Sequence, residues 1–187
     1  HWPPADIAVL YRGRPQAAGV LAALVGAQIP VQTDDLELLR TGKGPELALA
    51  YLRLATHSGP VGFDEAWSIA WTPDSYINKE KFSQQVARFG AKGLRAVLLK
   101  AAKCGQHSSA ITSQTDLADL LARISRCATA GAALDLVRNE VDIDELLRAR
   151  VHSERHQELA IAAFDGVHRL LAGLGVAPAD AVDALLN

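Results

Sequence analysis

From Glu46 onward, apolar residues recur with a period of 3.6, and the pattern holds almost to the end of the 187-residue chain. That spacing puts one apolar stripe on each segment and commits most of the chain to packed amphipathic helices. Leu47, Ala50, Tyr51 and Leu54 give the first stripe. Phe63–Ala70 reads as a short helix, with Trp67 and Trp71 four residues apart, and Thr72, Pro73, Asp74 and Ser75 break it. Asn78 is placed to N-cap a helix through about Phe89. Leu94, Val97, Leu98 and Ala101 continue the pattern beyond a break at 90–93. The Ser-, Gln- and Thr-rich stretch 107–115 reads as a loop. Leu117, Leu120, Leu121, Ile124 and Cys127 mark the next helix, and Gly131 introduces another. Asp142 with Glu145 resembles a capping box. The longest helix is expected over 153–174, and a last one from Pro178.

The first forty residues read differently. Residues 6–11 are a short apolar run with β-branched members, expected as a buried parallel strand. Pro15 can open a helix carrying Ala17, Val20, Leu21 and Leu24, with Gly26 to end it. Residues 29–33 look like a second strand, so the opening is a strand–helix–strand unit of an α/β layer. The fold class expected is therefore mainly α, with a small α/β N-terminal portion. A boundary is expected at 57–62, dividing the chain into 1–56 and 57–187.

Composition narrows the function. Hydrophobic residues make up 49% and aromatics only 5%, so the interior is built from Leu, Ala and Val. The net charge is −2, yet residues 78–103 hold seven cations against Glu80 alone, a local charge of +6. Residues 135–158 hold seven acids and four arginines, a local charge of −3. One half suits phosphate while the other suits water or protein. The two cysteines, Cys104 and Cys127, lack metal or disulfide spacing, so both read as small buried groups in a reducing, cytoplasmic compartment. No signal peptide or membrane-length apolar run is visible, and membranes are not expected as partners. The chain starts at His1 and contains no Met, which fits a segment of something longer.

Self-contained catalytic motifs are missing. Thr41-Gly42-Lys43-Gly44 fails the phosphate-loop pattern, since Glu37 and Gly44 stand where Gly and Ser/Thr belong, and it reads as a surface turn. His152 and His156 share a helix face at zinc-ligand spacing, but Ser153 follows the first His and no third ligand is evident. They read as solvated histidines, and no metal site is expected. Trp67 and Trp71 fit either core packing or base stacking, with packing the simpler reading.

Asp6-Ile7-Ala8-Val9-Leu10-Tyr11-Arg12 resembles the opening strand of the second motor domain in UvrD/PcrA/Rep-like superfamily 1 DNA helicases. Gln16 and Ala17, and then Gly26-Ala27-Gln28-Ile29-Pro30, are similar to the next stretches of that domain. Ala48-Leu49-Ala50-Tyr51-Leu52-Arg53-Leu54 matches a helix of that family. Thr72-Pro73-Asp74-Ser75-Tyr76-Ile77-Asn78-Lys79 is similar to its hairpin, with Ser75-Tyr76-Ile77 where many members have Gly-Ile-Gly. The stretch 39–46 departs from the family's pattern, and no DNA-binding role is carried onto it.

The resemblance implies that 1–56 begins a RecA-like domain and that 57–187 is a helical accessory subdomain, usually called 2B, with a helix–hairpin–helix element. It implies an ATP-dependent 3′-to-5′ DNA helicase using ATP and Mg²⁺, with this piece inactive alone and binding neither. Tyr11 would stack on adenine, and Arg12 would be the catalytic arginine at the γ-phosphate, where a permanently charged guanidinium neutralises developing charge. The alternative for both is a plain strand end. Ser75, Tyr76, Ile77, Asn78, Lys79 and Lys81 would contact the backbone of DNA at a single-strand/duplex junction, through amide N–H groups, a helix N-terminus and positive charge. The alternative there is a solvated charged helix. A RecBCD- or AdnAB-type nuclease subunit and a non-catalytic module binding a protein partner through the helices are the competing readings.

Overall fold

The computed structural model describes residues 7–10, 17, 20, 21, 24, 27, 29, 31, 42–57, 59–73, 75–104 and 107–185. From residue 42 onward the helices are, in chain order, α1 (Lys43–Thr56), α2 (Phe63–Ala70), α3 (Lys79–Phe89), α4 (Leu94–Lys103), α5 (Ser108–Ile124), α6 (Ala130–Glu140), α7 (Ile143–Arg150), α8 (Glu154–Leu174) and α9 (Ala181–Ala184). Short 3-10 turns at Gly90–Lys92 and Pro178–Asp180 join α3 to α4 and lead into α9. The protein is mainly α-helical. Among the described residues, no helix is long and apolar enough to cross a membrane.

α1 is the hub. It packs against α2 and against every helix from α4 to α9. Gly44, Pro45, Leu47, Ala48, Ala50, Tyr51, Leu52 and Leu54 are all buried, so α1 is covered nearly all round rather than along one stripe. The longest helix, α8, lies along it. Gly44 makes the contact close, since a Cβ there would overlap the carbonyl oxygen of Ala160 in α8. This corrects the surface turn expected at 41–44: Lys43 and Gly44 open a helix that is buried against another. Gly131 does the same for α6, where a Cβ would come within 2.6 Å of Ala172 Cα. It lies inside α6, which Thr129 caps instead, its Oγ1 accepting from Ala132 N–H.

Two other corrections concern local polarity. The loop expected at 107–115 is helical from Ser108, because Gln114 and Ala118 turn inward and α5 packs along α4. The Thr115 hydroxyl, which favours a loop in isolation, instead donates back to the Ile111 carbonyl. Cys104 is exposed rather than buried, at the C-terminal end of α4, and Cys127 is half-buried.

The strand–helix–strand opening is not seen. Residues 7–10, 29 and 31 form no strand, and Leu10 is 94% exposed. A strand is held by the ladder of a neighbour, and no neighbouring strand exists among the described residues. The helical part of the expectation is present: Ala17, Val20, Leu21 and Leu24 are helical, Ala17 packs with Ala163 of α8, and Leu21 joins the main core.

Around the boundary expected at 57–62, Val61 is buried and its N–H donates to the Gly90 carbonyl at 3.0 Å. Arg53 of α1 pairs with Glu65 of α2 at 2.8 Å across the same junction. Residues of α1 and of α2 to α9 share one hydrophobic core.

Candidate nucleic-acid interface

The connection from α2 to α3 is a tight turn held by its own hydrogen bonds. Ser75 N–H and Ser75 Oγ both donate to the Thr72 carbonyl, at 3.1 and 2.9 Å, and Thr72 N–H reaches Ser75 Oγ at 3.3 Å. Ser75 is only 2% exposed, so its hydroxyl fixes the turn and is withdrawn from solvent. Tyr76, next in the chain, has φ of 49° and is 68% exposed. A left-handed backbone at a residue with a side chain costs about 1–2 kcal/mol, so the packing on either side must impose it. Ile77 packs partly against the core, and Asn78 Oδ1 accepts from Lys81 N–H at 2.9 Å as the N-cap of α3.

Capping by Asn78 satisfies the third amide of α3 and leaves those of Lys79 and Glu80 pointing out of the helix end. Those amides, with the positive end of the helix dipole, suit an anion. Glu80 in the first turn opposes it. Lys79 Nζ lies 5.8 Å from the Phe63 ring centroid, and Lys81 is exposed. At the far end of α3, Arg88 and Lys100 sit over the Phe89 ring, at 5.2 and 6.0 Å, joining α3 and α4 in one basic surface. Lys92, Arg95 and Lys103 are exposed beside it.

The six residues expected to contact DNA are thus contiguous but not equivalent. Tyr76, Lys79 and Lys81 present side chains to solvent; Asn78 presents a helix end; Ser75 and Ile77 anchor the turn from below. Tyr11 and Arg12 lie outside the described residues, as does Asp74 of the turn. Trp67 is half-buried, stacked on Phe63 at 5.7 Å and tilted against Phe82 at 5.8 Å, which is core packing. His152 and His156 are exposed, and no metal-binding group of three His, Cys, Asp or Glu exists among the described residues.

Sequence reasoning missed Arg150. From the end of α7 it lies over Trp71 at 5.6 Å and donates from Nη2 to the Trp71 carbonyl at 3.0 Å, buttressing the turn. Burial draws its guanidinium below the ordinary arginine value, with Tyr51 partly opposing. Burial also pushes the Tyr51 phenol well above the usual tyrosine range, the Arg150 charge partly opposing. The only sequence signal for this was an Arg closing a helix whose other arginine, Arg148, sits two residues away.

Comparison of the chain with protein-family models, with curated proteins and with solved structures gave no match.

Proposed function

We propose that the chain is a segment of an ATP-dependent DNA helicase of the UvrD kind, whose α3–α4 surface holds duplex backbone without reading sequence. Among the described residues, none of Lys79, Arg88, Lys92, Arg95, Lys100 and Lys103 takes part in an ion pair. That observation carries the proposal. A surface of cations kept apart from the chain's own acids suits a polyanion, and phosphate is the same at every step. The self-closed turn at 72–75 supports it by presenting Tyr76 and the α3 N-terminus on a rigid mount.

In this reading ATP and Mg²⁺ bind the motor of the whole enzyme, with Tyr11 on adenine and Arg12 at the γ-phosphate. The protein works in the cytoplasm on a single-strand/duplex junction, and the division at residue 56 separates motor from accessory sequence.

Anisotropy titration of a labelled forked duplex against the chain tests the DNA part. Lys79→Ala with Lys81→Ala should weaken binding equally on unrelated sequences. Unchanged affinity and salt dependence would reduce these lysines to a solvated face. In an intact enzyme, Arg12→Ala should lower kcat for ATP by about 10³-fold with little change in KM.

A further inference from the structure

Tyr76 carries a ring that the fold leaves unused. It is 68% exposed, and among the described residues its side chain enters no hydrogen bond, ring stack or cation–π pair. Its backbone, at φ of 49°, sits where a glycine rests without steric cost and a tyrosine does not. The residue is nonetheless held in place, between buried Ser75 and the core-packed Ile77. Strain at an exposed side chain, with no packing gain to offset it, points outward to a ligand.

The turn that carries Tyr76 also divides two fields of charge. After it in the chain comes α3, which opens the basic surface with Lys79. Behind it, Thr72, Pro73 and Ser75 wall a cleft of about 280 Å³ in which Asp116, Asp142 and Glu145 are exposed. No Lys, Arg or His lines that cleft among the described residues. A duplex lying on α3 and α4 and running on past the turn would bring phosphates against those carboxylates, which like-charge repulsion opposes. A duplex that stops at the turn avoids them.

We infer that Tyr76 stacks on the exposed base face at the end of a duplex held by α3 and α4, an inference that rests on the backbone-binding reading above. Inside a duplex each base face is covered by its neighbours, and only the last pair or the first unpaired base offers one. The cations hold phosphate without regard to sequence, and the ring selects where along the DNA the protein sits. Every base has a π-face, so the selection is for ends and junctions rather than for sequence.

Three labelled DNAs of one sequence, titrated with the whole chain and read by anisotropy, test this: a blunt duplex, a forked duplex, and a dumbbell whose ends are closed by stacked tetraloops. The open-ended DNAs should bind about fivefold or more tightly than the dumbbell. Tyr76→Gly, which removes ring and strain together, should keep the thermal midpoint and erase that preference, whereas Tyr76→Phe should retain it. A 2-aminopurine in the last pair should change fluorescence with the wild type and with Tyr76→Phe, but not with Tyr76→Gly. A fork favoured over the blunt end assigns the ring to the first unpaired base, and equal affinity assigns it to the last pair; both support the inference. Equal affinity for open and closed DNA, or a preference that survives in Tyr76→Gly, overturns it and leaves the backbone reading standing. No binding to any of the three, or binding that Lys92→Gln with Arg95→Gln fails to weaken, overturns the backbone reading and this inference with it.

Discussion

The basic surface of α3–α4 and the acid-rich stretch of α6–α8 use charge in opposite ways. In the acidic region, charge is tied into the fold. Arg138 of α6 reaches Asp144 of α7 at 3.0 Å and Asp165 of α8 at 3.3 Å while lying over Phe164. Asp135 meets His168 at 3.0 Å, and Glu140 meets Arg123. In the basic region the cations rest on rings instead: Lys79 on Phe63, and Arg88 and Lys100 on Phe89. A ring orients a cation without neutralising it, so its charge stays available to a partner. Two regions of similar length and opposite sign are thus a clamp and, in the proposed reading, a contact surface.

The largest effect expected from that difference is on binding. Replacing Lys92, Arg95, Lys100 and Lys103 with Gln should lower affinity for duplex DNA by about 10²-fold or more at low salt. The salt slope should fall by roughly 0.9 for each phosphate that is no longer neutralised. Stability should move by no more than about 0.5 kcal/mol, since these side chains are exposed. Glu154→Gln with Glu158→Gln should leave affinity within about twofold. If the two sets shift affinity in proportion to net charge alone, the contrast between regions fails.

How much of this was legible varies along the chain. Asn78 and Asp142 were readable as N-caps because capping is set within four residues. The bounds of α2 and α3 followed from Pro73, Asn78 and the 90–93 break. Gly44 and Gly131 misled because their reason lies across space: each admits the backbone of α8, and local pattern offers only a turn or a helix start. The 107–115 stretch misled because polar composition cannot show which residues face a neighbour. The +6 segment was countable, but that Lys79, Arg88, Lys92, Arg95, Lys100 and Lys103 form no ion pair among the described residues depends on where α6 to α8 hold their acids. The opening run at 7–10 has strand composition but no partner among the described residues to form a ladder, which composition alone cannot reveal.

Next in size is the clamp. Arg138→Met should destabilise the fold by about 1–2 kcal/mol in chemical denaturation, because Asp144 and Asp165 lose a shared, partly shielded partner. Lys100→Met, its counterpart on the basic surface, should be near neutral. Comparable losses would show that the ring-held cations are structural too. Arg150→Met probes the point where the regions touch. It removes the hydrogen bond to the Trp71 carbonyl and should weaken DNA binding several-fold, although Arg150 is not on the basic surface. Trp71 emission should shift with it. An emission shift with unchanged affinity would separate the buttress from the contact surface.

Alkaline titration tests Tyr51, whose folded value is raised above 10.0 by burial. Because the unfolded chain releases this proton first, stability is intact below about pH 10 and falls as pH rises above it. Tyr51→Phe should flatten that limb by up to about 1.4 kcal/mol per pH unit, one proton's worth. An unchanged slope would mean that the phenol ionises in the fold.

The smallest effect concerns Arg123 and Glu140, which join α5 to α6 at the surface. The hydrogen bond from Arg123, more than its charge alone, holds the Glu140 carboxyl below its ordinary value of 4.5. The folded value is the lower one, so the stabilisation is present above pH 4.5 and is lost as pH falls through the folded value. Glu140→Gln should therefore reduce the pH dependence of the thermal midpoint on the acid side and leave it unchanged above neutrality. The pair is open to solvent, so 0.5 M salt should remove most of the difference between wild type and variant. The Arg138 links, which are more enclosed, should resist the same salt. If salt erased both equally, the acidic region would not be a clamp, and its charges would be as free to meet a partner as those of Lys92, Arg95, Lys100 and Lys103.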